Sequence, residues 1–155
     1  MFHYGSHGGK SAKEGWEAGW SDGAIYGGEL REGLGRRKCH VIAAISTCGS
    51  GGFGRPGPNE FSVPPNLTAL CACRRRQHTG SQLDIAFCEA LSGFADPNED
   101  GEVTLQEVIN HLPLRSREML SEEERNENPE ERMPVIISST DKSTEVTLTR
   151  RNRNG

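Results

Sequence analysis

The stretch that most constrains the fold is His40-Val41-Ile42-Ala43-Ala44-Ile45-Ser46-Thr47-Cys48-Gly49-Ser50-Gly51-Gly52. A short apolar run that stops at a cysteine and a cluster of glycines has the length of a strand. With no polar residue alternating in it, it predicts a strand covered on both faces, as in a parallel sheet. In such sheets the residues that bind and react sit just past the C-terminal ends of the strands. Cys48 occupies that position, so its chemistry matters as much as its packing.

At 155 residues the chain is sized for one α/β domain, expected over residues 1–149, with 150–155 a frayed basic tail. Only 33% of residues are apolar and there are 19 glycines and 8 prolines, so much of the chain must be turn and loop. The net charge of −4, with both signs mixed, argues against nucleic acid as a partner. No apolar run approaches the ~18–20 residues a membrane helix needs. The first residues, Met1-Phe2-His3-Tyr4-Gly5, lack the basic and apolar regions of a signal peptide. Five cysteines, an odd number set mostly in apolar runs, predict reduced thiols in a cytoplasmic protein. Cys71-Ala72-Cys73 has the wrong gap for a zinc knuckle and no second pair to complete one.

Residues 2–9 read as a strand end running into a glycine turn, and 10–23 as a loop or weak helical turn carrying Trp16 and Trp20. Leu30 and Leu34 predict a short helix stopped at Gly35. Strand, helix and the Val41 strand then make a βαβ unit. The glycine- and proline-rich segment from Gly49 to Pro65 is an irregular loop, and 66–73 is the next buried strand. Ser81 and Asp84 look like a capping box opening a helix through Leu83, Ala86, Phe87, Ala90 and Leu91, ended by Gly93. Leu105, Val108, Ile109 and Leu112 predict an amphipathic helix stopped by Pro113. Residues 115–132 are a charged loop or exposed helix, and 134–138 and 145–149 are late strands.

Parallel strands joined by a right-handed crossover end on one edge, about 4.8 Å apart. His7 and Cys48 are therefore expected at neighbouring strand ends, facing one crevice. A free cysteine, with a pKa near 8.5, is only slightly ionised at neutral pH. An imidazole can take its proton, and amides of Gly8-Gly9 and Cys48-Gly49 can form an oxyanion hole. A structural cysteine beside a turn histidine explains the same spacing.

His3-Tyr4-Gly5-Ser6-His7-Gly8-Gly9 resembles the Y-x-x-H-G element of caspase-like and legumain-like cysteine peptidases. Ser46-Thr47-Cys48-Gly49-Ser50-Gly51 is similar to their D/E-x-C-x-S-G nucleophile element. Asp22 to Tyr26 followed by Glu29-Leu30 also looks like that family's connecting segment. The resemblance implies a caspase-like three-layer α/β fold and a thiol endopeptidase acting on polypeptides. It makes His7 the general base, Cys48 the nucleophile, and the Gly8 and Cys48 amides the oxyanion hole. Two departures stand out. Ser46 replaces an acidic residue that helps bind a basic substrate side chain. The family's sheet has a strand before the histidine strand, and here only six residues precede His7, so a sheet lacking its first strand is expected.

A second site is read from Asp96-Pro97-Asn98-Glu99-Asp100-Gly101-Glu102-Val103-Thr104-Leu105-Gln106-Glu107. It fits the twelve-residue EF-hand calcium loop. Asp96, Asn98 and Asp100 supply oxygens, Gly101 the sharp turn, Glu102 a backbone carbonyl, Thr104 a water-mediated contact and Glu107 a bidentate carboxylate. Few carboxylates and no second loop predict modest calcium affinity. The rival expectation, from another class, is a non-catalytic calcium-binding or interaction protein built on a peptidase remnant. Gly5 to Ser11 is one residue short of a nucleotide-binding P-loop. Arg74-Arg75-Arg76 reads as a solvated turn, with an acid-binding pocket as the alternative.

Overall fold

The computed structural model describes residues 1–5, 7–11, 15–20, 23–54, 63–127, 133–138 and 146–150. The elements in chain order are β1 Phe2–Gly5, β2 Gly8–Ser11, β3 Gly15–Trp20, β4 Gly23–Tyr26 and α1 Gly27–Gly35. β5 Val41–Ser46, α2 Gly51–Gly54, β6 Leu67–Cys71 and α3 Gln82–Glu89 follow. The last are β7 Glu102–Thr104, α4 Leu105–Glu118, α5 Glu122–Glu127, β8 Val135–Ser138 and β9 Thr147–Arg150.

The main sheet has the order β1-β5-β6-β8. β5 pairs in parallel with β1 on one side, Gly5 opposite Ser46, and with β6 on the other, Ile45 opposite Cys71. β8 closes the sheet antiparallel to β6. The chain is thus mixed α/β with a small parallel core. Every residue of β5 and β6 is buried, as the unalternating apolar run requires. Successive side chains take opposite faces. Ile42, Ala44 and Leu70 pack with Leu83 and Phe87 of α3 and Leu105, Val108 and Leu112 of α4. Ala43, Ile45, Leu67 and Ala69 pack on the other face with Trp16, Phe53 and the half-buried Leu30 and Leu34 of α1.

Residues 10–23 correct the expected loop, because β2, β3 and β4 form an antiparallel three-stranded sheet, with 12–14 and 21–22 outside the described residues. The cause is a period of two that helical spacing of the tryptophans concealed. Trp16 and Ala18 are buried while Gly19 between the strands' outward positions is exposed. The Tyr4 hydroxyl donates to Gly19 O at 2.8 Å and fastens this small sheet to β1.

α1, α3 and the late strands lie where the sequence places them. α3 continues as a wider π-type turn over Ala90–Phe94, in which Gly93 takes φ 98°. The expected Ser81–Asp84 capping box does not form, because Ser81 makes no side-chain cap and the Asp84 carboxylate is engaged elsewhere. Pro113 does not stop α4 either. The helix runs on to Glu118, with Ser116 extending the buried stripe and Arg115 making a two-pronged contact with Glu89 of α3 at 2.6 and 2.9 Å. The helix continues past the proline because its apolar stripe stays packed on the core on both sides of it, through Leu112 before and Met119 after.

In the expected loop Gly49 to Pro65, Gly51–Gly54 is a single helical turn and 55–62 lie outside the described residues. Within 115–132, Arg115–Glu118 belongs to α4 and Glu122–Glu127 forms α5, while 128–132 lie outside. Arg150, assigned from sequence to the tail, ends β9 and reaches Glu102 at 3.0 Å. Residues 151–155 lie outside the described residues. No helix among the described residues is long and apolar enough to cross a membrane.

Candidate functional site

β1 and β5 are parallel neighbours, so their C-terminal ends open on one edge. Two residues past the Gly5–Ser46 pair stand His7 and Cys48. Both line a cleft of about 730 Å³ with His3 and Ser46, Thr79 from the segment leading into α3 and Asp84 from the first turn of α3. His7 is exposed and Cys48 half-buried, which leaves the thiol reachable from solvent. The thiol's hydrogen-bond partners are in the Thr79 peptide rather than the His7 imidazole. It accepts from Thr79 N at 3.5 Å and donates weakly to Thr79 O at 3.8 Å.

Gly8 brings the two halves together by its lack of a side chain. A Cβ there would fall 2.6 Å from Thr47 Cβ and 2.8 Å from Cys48 O, so only glycine allows this approach. Gly8 faces Ala18 across the β2–β3 ladder, and Gly19 N donates to His7 O beside it at 2.8 Å. That arrangement makes Gly8 and Ala18 a non-hydrogen-bonded pair and leaves the Gly8 amide outside the ladder. The Gly49 amide, in contrast, is taken by Gln77 O at 2.8 Å, which removes it from the expected oxyanion group. Gly8 and Cys48 remain as the candidate donors.

Several residues that hold the cleft escape sequence reasoning. Trp16, wholly buried, donates from Nε1 to Thr47 Oγ1 at 3.2 Å and packs edge-on to Phe53 at 5.5 Å. Buried Arg31 donates to Phe53 O at 2.7 Å and so braces the turn after the cysteine. Asp84 accepts from Ser46 Oγ at 2.7 Å and meets His3 Nε2 at 2.7 Å. It brings a carboxylate beside Ser46, where the caspase-like resemblance would have an acidic residue. Its three-residue spacing from Ser81 pointed to a helix cap and hid this role.

The 96–107 loop lies at the other end of α3, between the π-type turn and α4. Gly101 has φ 85°, the sharp turn its place in the loop demands. Asp96 Oδ2 accepts from Gly101 N at 3.0 Å, Asn98 Oδ1 from Asp100 N at 3.1 Å, and Asp100 Oδ1 from Glu102 N at 2.7 Å. Asp96 Oδ1 is buried without a hydrogen-bond partner, an acceptor left over inside the loop. The Glu102 side chain is held by Thr147 and Arg150 of β9, consistent with a role through its backbone carbonyl alone. Thr104 and Glu107 form a reciprocal cap on α4: Glu107 N donates to Thr104 Oγ1 at 3.3 Å and Thr104 N to Glu107 Oε2 at 2.8 Å. No group of three His, Cys, Asp or Glu among the described residues is gathered as a ready metal cluster. Glu107 would have to leave its cap to reach an ion.

No family model matches the chain, and a search of curated proteins finds no match.

Proposed function

We propose that the chain is a cysteine endopeptidase of caspase-like type, with Cys48 as nucleophile and His7 as base. The observation that carries this is the shared cleft at the ends of β1 and β5, which is lined by both His7 and Cys48. The His7 imidazole takes the Cys48 proton as sulfur attacks the peptide carbonyl carbon. The Gly8 and Cys48 amides receive the developing oxyanion. The intermediate collapses to a Cys48 thioester as the amine leaves with the proton from His7. Water, deprotonated by His7, then cleaves the thioester and restores the thiol. Gly49 and Gly51 let the turn after Cys48 pack closely on the 73–75 backbone, since a Cβ would fall 3.1 Å from Arg75 O and 2.8 Å from Cys73 O. Asp84 supplies the carboxylate that Ser46 does not, favouring a basic side chain in the cleft.

The EF-hand-like loop adds a calcium site in the same proposal. Asp96, Asn98, Asp100, the Glu102 carbonyl, Thr104 and Glu107 would hold the ion, and the partnerless Asp96 oxygen supports the fit. That oxygen also favours the second reading, a calcium-binding module without catalysis.

Iodoacetamide at pH 6 tests the first reading. Cys48 should alkylate at least tenfold faster than the other four cysteines, and His7→Ala should remove that advantage together with peptide cleavage. Cys39 and Cys88 are exposed, so they are stringent controls. Equal labelling of Cys48 and these two would reject the dyad.

A further inference from the structure

Cys73 has no part in that chemistry, yet its thiol lies against the backbone on both sides of Cys48. Its Sγ is 3.7 Å from Thr47 O, the carbonyl just before Cys48. It is also 3.2 Å from Gln77 O, the same oxygen that accepts from Gly49 N, the amide just after Cys48. The two thiols further share one turn, since Cys48 Sγ meets Thr79 and Cys73 Sγ meets Gln77. Cys73 is wholly buried, whereas Cys48 opens to the cleft. Burial, and to a lesser degree the neighbouring Cys48, push the Cys73 thiol up from its ordinary value, so it stays protonated and is a poor first target for an oxidant.

We propose that Cys48 and Cys73 form a reversible redox pair in which Cys73 resolves and protects an oxidised Cys48. The oxidant is a hydroperoxide. The Cys48 thiolate attacks one peroxide oxygen, the O–O bond breaks, and hydroxide or alkoxide leaves and takes a proton, giving a Cys48 sulfenic acid. The Cys73 thiol, losing its proton, then attacks the Cys48 sulfur. The S–S bond forms, the S–O bond breaks, and water leaves. A dithiol returns both cysteines to thiols and is itself oxidised to a disulfide. The bond ties the loop after β5 to the end of β6 and blocks the nucleophile. The proposal needs a reactive Cys48 thiolate but not peptidase activity.

The test is one to five equivalents of hydrogen peroxide on the full chain, followed by alkylation, peptic digestion and tandem mass spectrometry. A 48–73 cross-link two hydrogens lighter than the dithiol is expected, removed by dithiothreitol with recovery of Cys48 alkylation. In Cys73→Ser, Cys48 should instead reach the sulfinic acid, with less than a tenth of its alkylation recovered. The wild-type mapping stands alone if that variant fails to fold. A cross-link from Cys48 to Cys39, Cys71 or Cys88, or equal recovery in a folded Cys73→Ser, overturns the pair. Because the readout is thiol chemistry, a chain that forms the cross-link and cleaves no peptide rejects the peptidase and keeps the redox pair.

Discussion

Asp84 is the residue whose meaning changes most between sequence and fold. Three residues after Ser81 it looks like part of a helix start, but its carboxylate is drawn across the cleft by the Ser46 hydroxyl and the His3 ring. Among the described residues lining the cleft Asp84 is the acidic one, so under the proposed peptidase function it is the group that a cationic substrate side chain would meet. Charge-assisted hydrogen bonds of that kind contribute about 1.5–3 kcal/mol. Asp84→Asn is therefore expected to lower kcat/KM on substrates with Arg or Lys beside the scissile bond by roughly 10- to 100-fold. Alkylation of Cys48 should be unchanged. Equal kcat/KM for the two proteins would remove Asp84 from specificity.

Among the elements, α3 and α4 carry the main stabilising pair outside the sheet. Their apolar faces meet over β5 and β6, and Glu89 and Arg115 close the outer edge of the contact. Hydrogen bonds from Arg115, then its charge and that of His111, hold the Glu89 carboxyl below its ordinary value of 4.5. Arg115 is correspondingly raised by Glu89 and Glu118. A carboxyl depressed on folding contributes stability above its unfolded pKa and loses it as pH falls through the folded value. Melting temperature should thus fall more steeply in the wild type than in Glu89→Gln from about pH 5 to about pH 3. Parallel curves would mean that the contact is already screened by solvent. The persistence of α4 beyond Pro113 belongs to this scale too, since its stripe stays packed through Leu112 and Met119.

At the scale of the molecule, α3 links two candidate sites, with Asp84 near its start in the cleft and Asp96 just beyond its end in the acidic loop. An ion in that loop would order the junction of α3, α4 and the β7–β9 pair in one step. Calcium at a hundredfold excess over its Kd stabilises a folded protein by about 2.7 kcal/mol, or some 5–10 °C in Tm at this chain length. That rise is expected for the wild type and should largely vanish in Glu107→Gln, which loses a carboxylate while keeping an acceptor for the cap. Titration calorimetry on both proteins checks it independently. Identical heats would exclude the loop as the site.

The chain's own residues determined the buried pair of central strands, because an apolar run without alternation has no stable place except a sheet covered on both faces. They also determined that His7 and Cys48 would stand at one edge, since parallel strands must end together, and they marked the acidic loop by its spacing of oxygens. Only the tertiary structure decided that the described residues within 10–23 would be strands, because Trp16 becomes a core residue only when Phe53 and Thr47 are folded against it. It likewise decided that Asp84 would join the cleft and that Cys73 would reach the backbone around Cys48. Local periodicity fixes which face of an element is apolar. Where polar groups far apart in the chain meet is settled by the packing that those faces permit.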